Sequence, residues 1–199
     1  MRIVSGRFRG ARLSVPTALG LRPTTDQVRE AIFSALGTAI VGKRVLDIFA
    51  GTGALGFEAL SRGALSAVFV DTNRKVTEAL RMTVREFHLE TEVRILTMSA
   101  ERAVRILAQL SDCFGVIFMD PPYHTNWIDR MFRDPTFAEL LEPEGIVVTE
   151  RDVHDGPLSP PATFTSWFLR KYGGTLVEMF RLDASGSVPG DFDGRHSHV

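Results

Sequence analysis

The feature that most restricts what this chain can fold into is Val45-Leu46-Asp47-Ile48-Phe49-Ala50-Gly51-Thr52-Gly53-Ala54-Leu55-Gly56, an apolar strand that runs through a glycine turn directly into a helix start. From there the chain alternates short apolar segments with longer stretches of helical periodicity. Strands are predicted at 44–49, 67–71, 93–96, 114–120 and 145–150, and helices at 54–62, 74–87, 100–110 and 128–141, the last broken at Pro135. Such alternation predicts an α/β fold of three layers, with a mostly parallel sheet, right-handed crossovers and helices on both faces. Beyond Pro157-Leu158-Ser159-Pro160-Pro161, segments 164–172 and 175–182 flank Gly173-Gly174, so an antiparallel hairpin closes one edge of the sheet.

A length of 199 residues and a hydrophobic content of 44% suit one domain with small additions. Residues 1–20 read as a basic extension. Segments 2–4 and 11–15 lie either side of Ser5-Gly6-Arg7-Phe8-Arg9-Gly10, a glycine-turned hairpin too small to fold alone. Residues 21–183 form the main domain, opened by Arg22-Pro23-Thr24-Thr25-Asp26-Gln27, where Thr24 can cap a helix over about 25–36 and Gln27 can close the reciprocal bond. Residues 184–199 are rich in Gly, Ser, Asp and His, bury little, and read as a disordered tail.

The formal net charge of −1 excludes a uniformly basic protein, so contact with a nucleic acid would fall to a local patch. Arg2, Arg7, Arg9, Arg12, Arg22 and Arg29 supply one, opposed in the first thirty residues only by Asp26 and Glu30; the alternative is a solvated charged face. The single cysteine, Cys113, reads as a small buried hydrophobe in a reducing compartment. No apolar run approaches the ~20 residues that span a bilayer, and a soluble, cytoplasmic protein is expected.

Gly51, Gly53 and Gly56 satisfy the dinucleotide fingerprint, so a nicotinamide cofactor has to be weighed. Asp47 argues against it. Ending the strand, it would set a carboxylate beside the pyrophosphate that such a loop binds. The same acid favours S-adenosylmethionine, which has no phosphate and carries a sulfonium and an ammonium. Phe49, Gly51 and Gly53 complete this loop. Asp71, ending the second strand ahead of Thr72, stands where a carboxylate accepts hydrogen bonds from both ribose hydroxyls, with a helix N-cap as its other reading. Ser99 and Ala100 follow the third strand, at the adenine edge by position, and Ser99 equally suits an ordinary cap.

The most specific signal is Asp120-Pro121-Pro122-Tyr123 at the end of the fourth strand. Consecutive prolines stop the strand and stiffen the turn, fixing the direction of the Asp120 carboxylate and the Pro121 carbonyl. Two acceptors on one spot suit an exocyclic amine, whose lone pair is delocalised into its base until both N–H bonds are held. Tyr123 offers a face for an extruded base. The chemistry requires no metal, and the five histidines show no metal-ligand spacing. His124 adjoins the turn and Glu150 ends the fifth strand near the same crevice, the latter readable also as a solvated strand end.

With these residues in view, the chain resembles the bacterial small-subunit ribosomal RNA guanine-N2 methyltransferases of the RsmD type. The likeness runs through the opening Arg2-Ile3-Val4-Ser5-Gly6-Arg7-Phe8-Arg9-Gly10, the Leu21-Arg22-Pro23-Thr24-Thr25-Asp26-Gln27-Val28-Arg29-Glu30 segment, Asp47 through Gly56, and Asp120 through Tyr123. It implies a class I methyltransferase fold of seven strands, S-adenosylmethionine as donor and one guanine of 16S rRNA as acceptor, presented in a small-subunit particle; the protein itself is expected to be a monomer. It also implies RNA contacts through the N-terminal segments, for which Arg7, Arg9, Arg12, Arg22, Thr24 and Thr25 are the candidates. Asp71 departs from the Glu often found there, and 184–199 has no counterpart. Two rivals stay open: methylation of adenine N6 in DNA, and an RNA-binding assembly protein with a vestigial pocket.

Overall fold

A computed structural model describes residues 1–13 and 25–183. Its first helix, α1 (Asp26–Leu36), is capped by Thr25, whose side chain accepts from the Val28 backbone N–H. The cap thus falls one residue later than expected, and Thr24, Arg22 and the tail at 184–199 lie outside the described residues. After a 3₁₀ turn come β1 (Arg44–Asp47), α2 (Ala54–Ser61), β2 (Ser66–Asp71), α3 (Arg74–Glu86), β3 (Val93–Thr97), α4 (Ala100–Gln109) and β4 (Phe114–Met119). Two short helices follow, α5 (Trp127–Arg133) and α6 (Pro135–Glu139), then β5 (Leu141–Asp152), β6 (Phe164–Tyr172) and β7 (Thr175–Leu182). The interruption at Pro135 is the expected one: Pro135 occupies the first turn of α6, where its missing N–H costs nothing, and Asp134 caps that turn through the Thr136 N–H.

The strands form one sheet in the order β3-β2-β1-β4-β5-β7-β6, parallel from β3 to β5 and antiparallel for the last two. The order reverses beside β1, between β2 and β4. That switch point opens a crevice at the C-terminal ends of the strands, which is where open α/β sheets bind their ligands. Alternation along each strand divides the core in two. Val45, Phe69, Val116, Phe118 and Val148 pack under α1, α2 and α3, while Leu46, Val70, Ile117 and Val147 pack under α4, α5 and α6. Helix α3 shows why its sequence is helical there: Val76, Leu80 and Val84 recur every four residues on the buried side, and Asn73 caps its start.

Two further sequence expectations need correction. Strand β5 begins four residues earlier than the pattern suggested, because Leu141 pairs with Phe114 across a register shift that no local alternation announces. Cys113 is exposed, since the buried run starts one residue later at Phe114. The expected N-terminal hairpin is present in the described residues: Arg2 and Arg12 form an antiparallel bridge, and backbone hydrogen bonds join Ile3 to Ala11 and Leu13 to Met1. It is also docked on α2: Glu58, fully buried, accepts from the Val4 and Ser5 N–H groups at 2.7 and 3.0 Å, and Ser61 accepts from the Arg7 and Phe8 N–H groups.

Candidate active site

The glycine turn is built by hydrogen bonds to the two carboxylates that flank it. Asp47 Oδ2 accepts from the Gly56 N–H at 3.2 Å, tying the end of β1 to the first turn of α2. Asp71 Oδ2 accepts from the Gly51 N–H at 3.0 Å, and its Oδ1 from the Asn73 N–H at 2.8 Å. Gly53 caps α2 with φ of +74°, and a Cβ there would lie 2.6 Å from Leu80 Cδ2 and 2.7 Å from Phe57 Cε2. Glycine is required on both counts.

Asp47 is 2% exposed. Burial pushes its carboxyl up to about 7, the Gly56 N–H pulls the other way, and the neighbouring Asp120 and Asp71 add to the rise. These acids belong to a row. Asp71, Asp47, Asp120 and Glu150 each follow by two residues a side chain of the first core cluster, namely Phe69, Val45, Phe118 and Val148. With a period of two, four neighbouring strands therefore deliver a carboxylate to the same side of the sheet at its C-terminal edge.

Phe49 is half-buried and its ring meets Trp127 at 5.8 Å between centroids. Thr72 is exposed beside Asp71, and Asp71 itself does not cap α3, since Asn73 does. Ser99 caps α4 by accepting from the Arg102 N–H, and Ala100 is buried in the second cluster. All the expected cofactor residues thus sit along the ends of β1, β2 and β3. The donor set fits a cationic, phosphate-free ligand: Asp71 and Asp47 flank the glycine loop with carboxylates where a dinucleotide would bring its pyrophosphate.

On the far side of Asp120 the chain turns through buried Pro121 and exposed Pro122. Thr125 Oγ1 donates to the Pro122 carbonyl at 2.6 Å, and the Tyr123 hydroxyl lies 3.1 Å from Thr175 Oγ1 on β7, so both ends of the turn are pinned. His124 adopts φ of +59°, with Nδ1 3.3 Å from Asp155 Oδ1. A cavity of 380 Å³ opens between this turn and loop 152–158, and Glu150 lines its wall. Glu150 is 2% exposed, which removes the reading of a solvated strand end.

The N-terminal arginines separate into kinds. Arg29 is fully buried, with Nη2 donating to the Arg2 carbonyl and to Asp26, so it belongs to the docking of the arm and not to a surface patch. Arg7 pairs with Glu92 and lies over the Phe8 ring. Arg9 borders a 520 Å³ cavity together with Arg2 and Arg62, and Arg12 is exposed. Thr25 is occupied as the α1 cap. Sequence reading missed Glu58 and Arg151: the first is an acid in an otherwise apolar helix, the second a buried guanidinium whose Nη1 donates to the Asp155 and Gly156 carbonyls. An acid inside the unbroken apolar run of α2 was the available signal for Glu58.

Among the described residues no cluster of three His, Cys, Asp or Glu could hold a metal ion, and no helix is long and apolar enough to cross a membrane.

The profile of the family described as Conserved hypothetical protein 95 matches residues 1–181. The chain is 32% identical over 191 residues to ribosomal RNA small subunit methyltransferase D of Escherichia coli strain K12, covering 96% of this chain and 94% of that one. Among solved structures it resembles a hypothetical protein of Thermus thermophilus, at 29% identity and a TM-score of 0.75 over 90% of this chain and 98% of that one. An RNA methyltransferase from Salinibacter ruber, solved in complex with S-adenosyl-L-homocysteine, shares the fold at a TM-score of 0.62 and 15% identity, over 87% of this chain and 100% of that one. The sheet order, the glycine turn and the full-length match agree, and the chain belongs to the family of ribosomal RNA small subunit methyltransferase D, with the fold of S-adenosylmethionine-dependent methyltransferases.

Proposed function

We propose that this protein methylates the exocyclic N2 amine of one guanine in 16S rRNA, acting as a cytoplasmic monomer on a small-subunit particle. The observation that carries the reading is the placement of Asp120: it follows directly on β4 within the electrostatic reach of Asp47 and leads into a turn fixed by two prolines, which line a cavity. When bound, S-adenosylmethionine supplies a methyl carbon on a sulfonium.

Asp71 would hold the ribose, and the glycine loop with Asp47 would face the cationic end of the cofactor. Asp120 and the Pro121 carbonyl accept the two N–H bonds of the acceptor amine, which returns its lone pair to nitrogen and aims it. Tyr123, pinned at its hydroxyl, presents a fixed face for stacking. The proton lost from the amine after transfer passes to solvent through the Asp120 side of the site. Positioning and exclusion of water do most of the work. Arg9 and Arg12 meet RNA phosphates, and the names of the curated relatives favour ribosomal RNA over DNA as the polymer.

Mass mapping of rRNA from cells lacking the gene tests the reading. The account expects one N2-methylguanosine of 16S rRNA to disappear and to return with the wild-type gene. An unchanged 16S rRNA with loss of N6-methyladenine from DNA would favour the rival enzyme.

A further inference from the structure

The cavity beside the catalytic turn contains a group that the transfer step leaves unused. The pairing of β4 with β5 ends where Met119 faces Thr149, so Asp120 and Glu150 stand opposite one another one step further on. Adjacent strands lie about 4.8 Å apart, so carboxylates at facing positions of two neighbouring strands come close enough for one base to donate to both. Guanine presents such a pair, the N2 amine and the N1–H. Adenine presents a lone pair at N1 instead.

The cavity has a volume of 380 Å³, within the range of about 300–1,000 Å³ of small-molecule sites. Its far wall is loop 152–158, whose shape is set from the interior. Arg151, 7% exposed, spans from the Asp155 and Gly156 carbonyls to Glu178 Oε2 on β7, and Ser166 of β6 donates to the other oxygen of Glu178. The wall facing the catalytic turn is therefore held by the edge hairpin and does not depend on bound RNA for its position.

We propose that this cavity receives the acceptor base and that Glu150 selects guanine by accepting its N1–H, while Asp120 holds the N2 amine. The proposal rests on the guanine-N2 reading above. A buried carboxylate facing the N1 lone pair of adenine would set acceptor against acceptor in a site from which water is excluded, and a site built for a donor rejects a base lacking it. Glu150 is in this sense a specificity-determining residue, and it takes no part in moving the methyl group.

The test uses the full-length protein and small-subunit RNA carrying, at the modified position, either guanine or 2-aminopurine, with adenine there as a third substrate. The second base keeps the C2 amine but has a lone pair at N1. Wild-type protein is expected to favour guanine in kcat/KM by roughly 10- to 100-fold. In Glu150→Gln the amide can turn its Nε2 to that lone pair or its Oε1 to the guanine N1–H, so 2-aminopurine turnover rises toward that of guanine and the preference collapses to near parity. S-adenosylmethionine affinity, measured by calorimetry on the same preparation, stays within about twofold and reports that the variant is folded. Equal use of both bases by the wild-type protein would overturn the proposal without needing the variant, as would a Glu150→Gln protein that retains the wild-type preference. A wild-type protein that methylates neither C2 amine but accepts adenine would overturn the guanine-N2 reading itself, a distinct result.

Discussion

Asp71 Oδ2 accepts a hydrogen bond from the Gly51 N–H at 3.0 Å, so the carboxylate expected to hold the ribose also holds the loop that would enclose the cofactor. The two roles are separable. Replacing Asp71 by Ala should weaken S-adenosylmethionine binding by roughly 1–3 kcal/mol, the loss typical of hydrogen bonds to a polar ligand. Asn keeps one oxygen for the Gly51 N–H and should lose less. Isothermal calorimetry on the three proteins reads this directly, and NADH binding in place of S-adenosylmethionine would contradict the assignment.

Asp47 predicts a pH dependence of both stability and binding. Its carboxyl moves from an ordinary value of 3.8 to about 7 on folding. A raised acid stabilises the fold where it is protonated, so its contribution is complete below pH 4 and is lost as pH climbs through 7. A shift of this size corresponds to on the order of 4 kcal/mol. Chemical denaturation between pH 4 and 8 should show the wild-type protein losing stability that Asp47→Asn retains. Cationic S-adenosylmethionine favours the ionised form, so its binding should strengthen from pH 6 to pH 8 and release a proton, and Asp47→Asn should do neither.

The glycine turn, the parallel sheet and the strand-end acids were legible because each rests on local chemistry: a turn only glycine can make, an apolar period of two, a carboxylate where a strand stops. Asp47, Asp71 and Asp120 were found this way, and the structure brings them into one row. What stayed hidden depends on partners far along the chain. Glu58 went unread because what satisfies it in an apolar helix is the N-terminal arm, over fifty residues away, which supplies two backbone N–H groups. Arg151 carries no local signal, since its burial comes from the return of β7 and from the loop that its guanidinium holds. Arg29 sat in a visibly basic segment yet is fully buried, because burial follows the apolar face of α1 and not the local charge.

The docking of the arm makes a prediction at Gly6. A Cβ there would lie 1.8 Å from the Ser61 carbonyl, with φ already at +83°. Gly6→Ala should therefore lift the arm from α2 and lower stability by about 1–3 kcal/mol, measured by urea denaturation. Because Thr52 of the glycine turn touches Met1, a modest loss of cofactor affinity should accompany it. Unchanged stability would mean that the arm is not held as described.

The arginines of the arm should contribute unequally to RNA binding. Arg9 and Arg12 are available for phosphates, whereas Arg7 is engaged by Glu92 and Phe8. Each of Arg9→Ala and Arg12→Ala should flatten the log–log salt dependence of binding to small-subunit RNA by about 0.7 if the bound strand is single, with Arg7→Ala producing less. Titrations at several salt concentrations read the slopes. Equal slopes in all variants would assign the patch to ordinary solvated charge.

The central claim is that Asp120 acts on the acceptor amine and not on the methyl donor. Single-turnover methyl transfer and calorimetric S-adenosylmethionine binding, measured side by side on wild-type protein and Asp120→Ala, test it most directly. The account predicts that the variant binds S-adenosylmethionine with nearly wild-type affinity and transfers no detectable methyl group to the RNA. Wild-type turnover in the variant, or loss of activity explained entirely by lost cofactor binding, would contradict it.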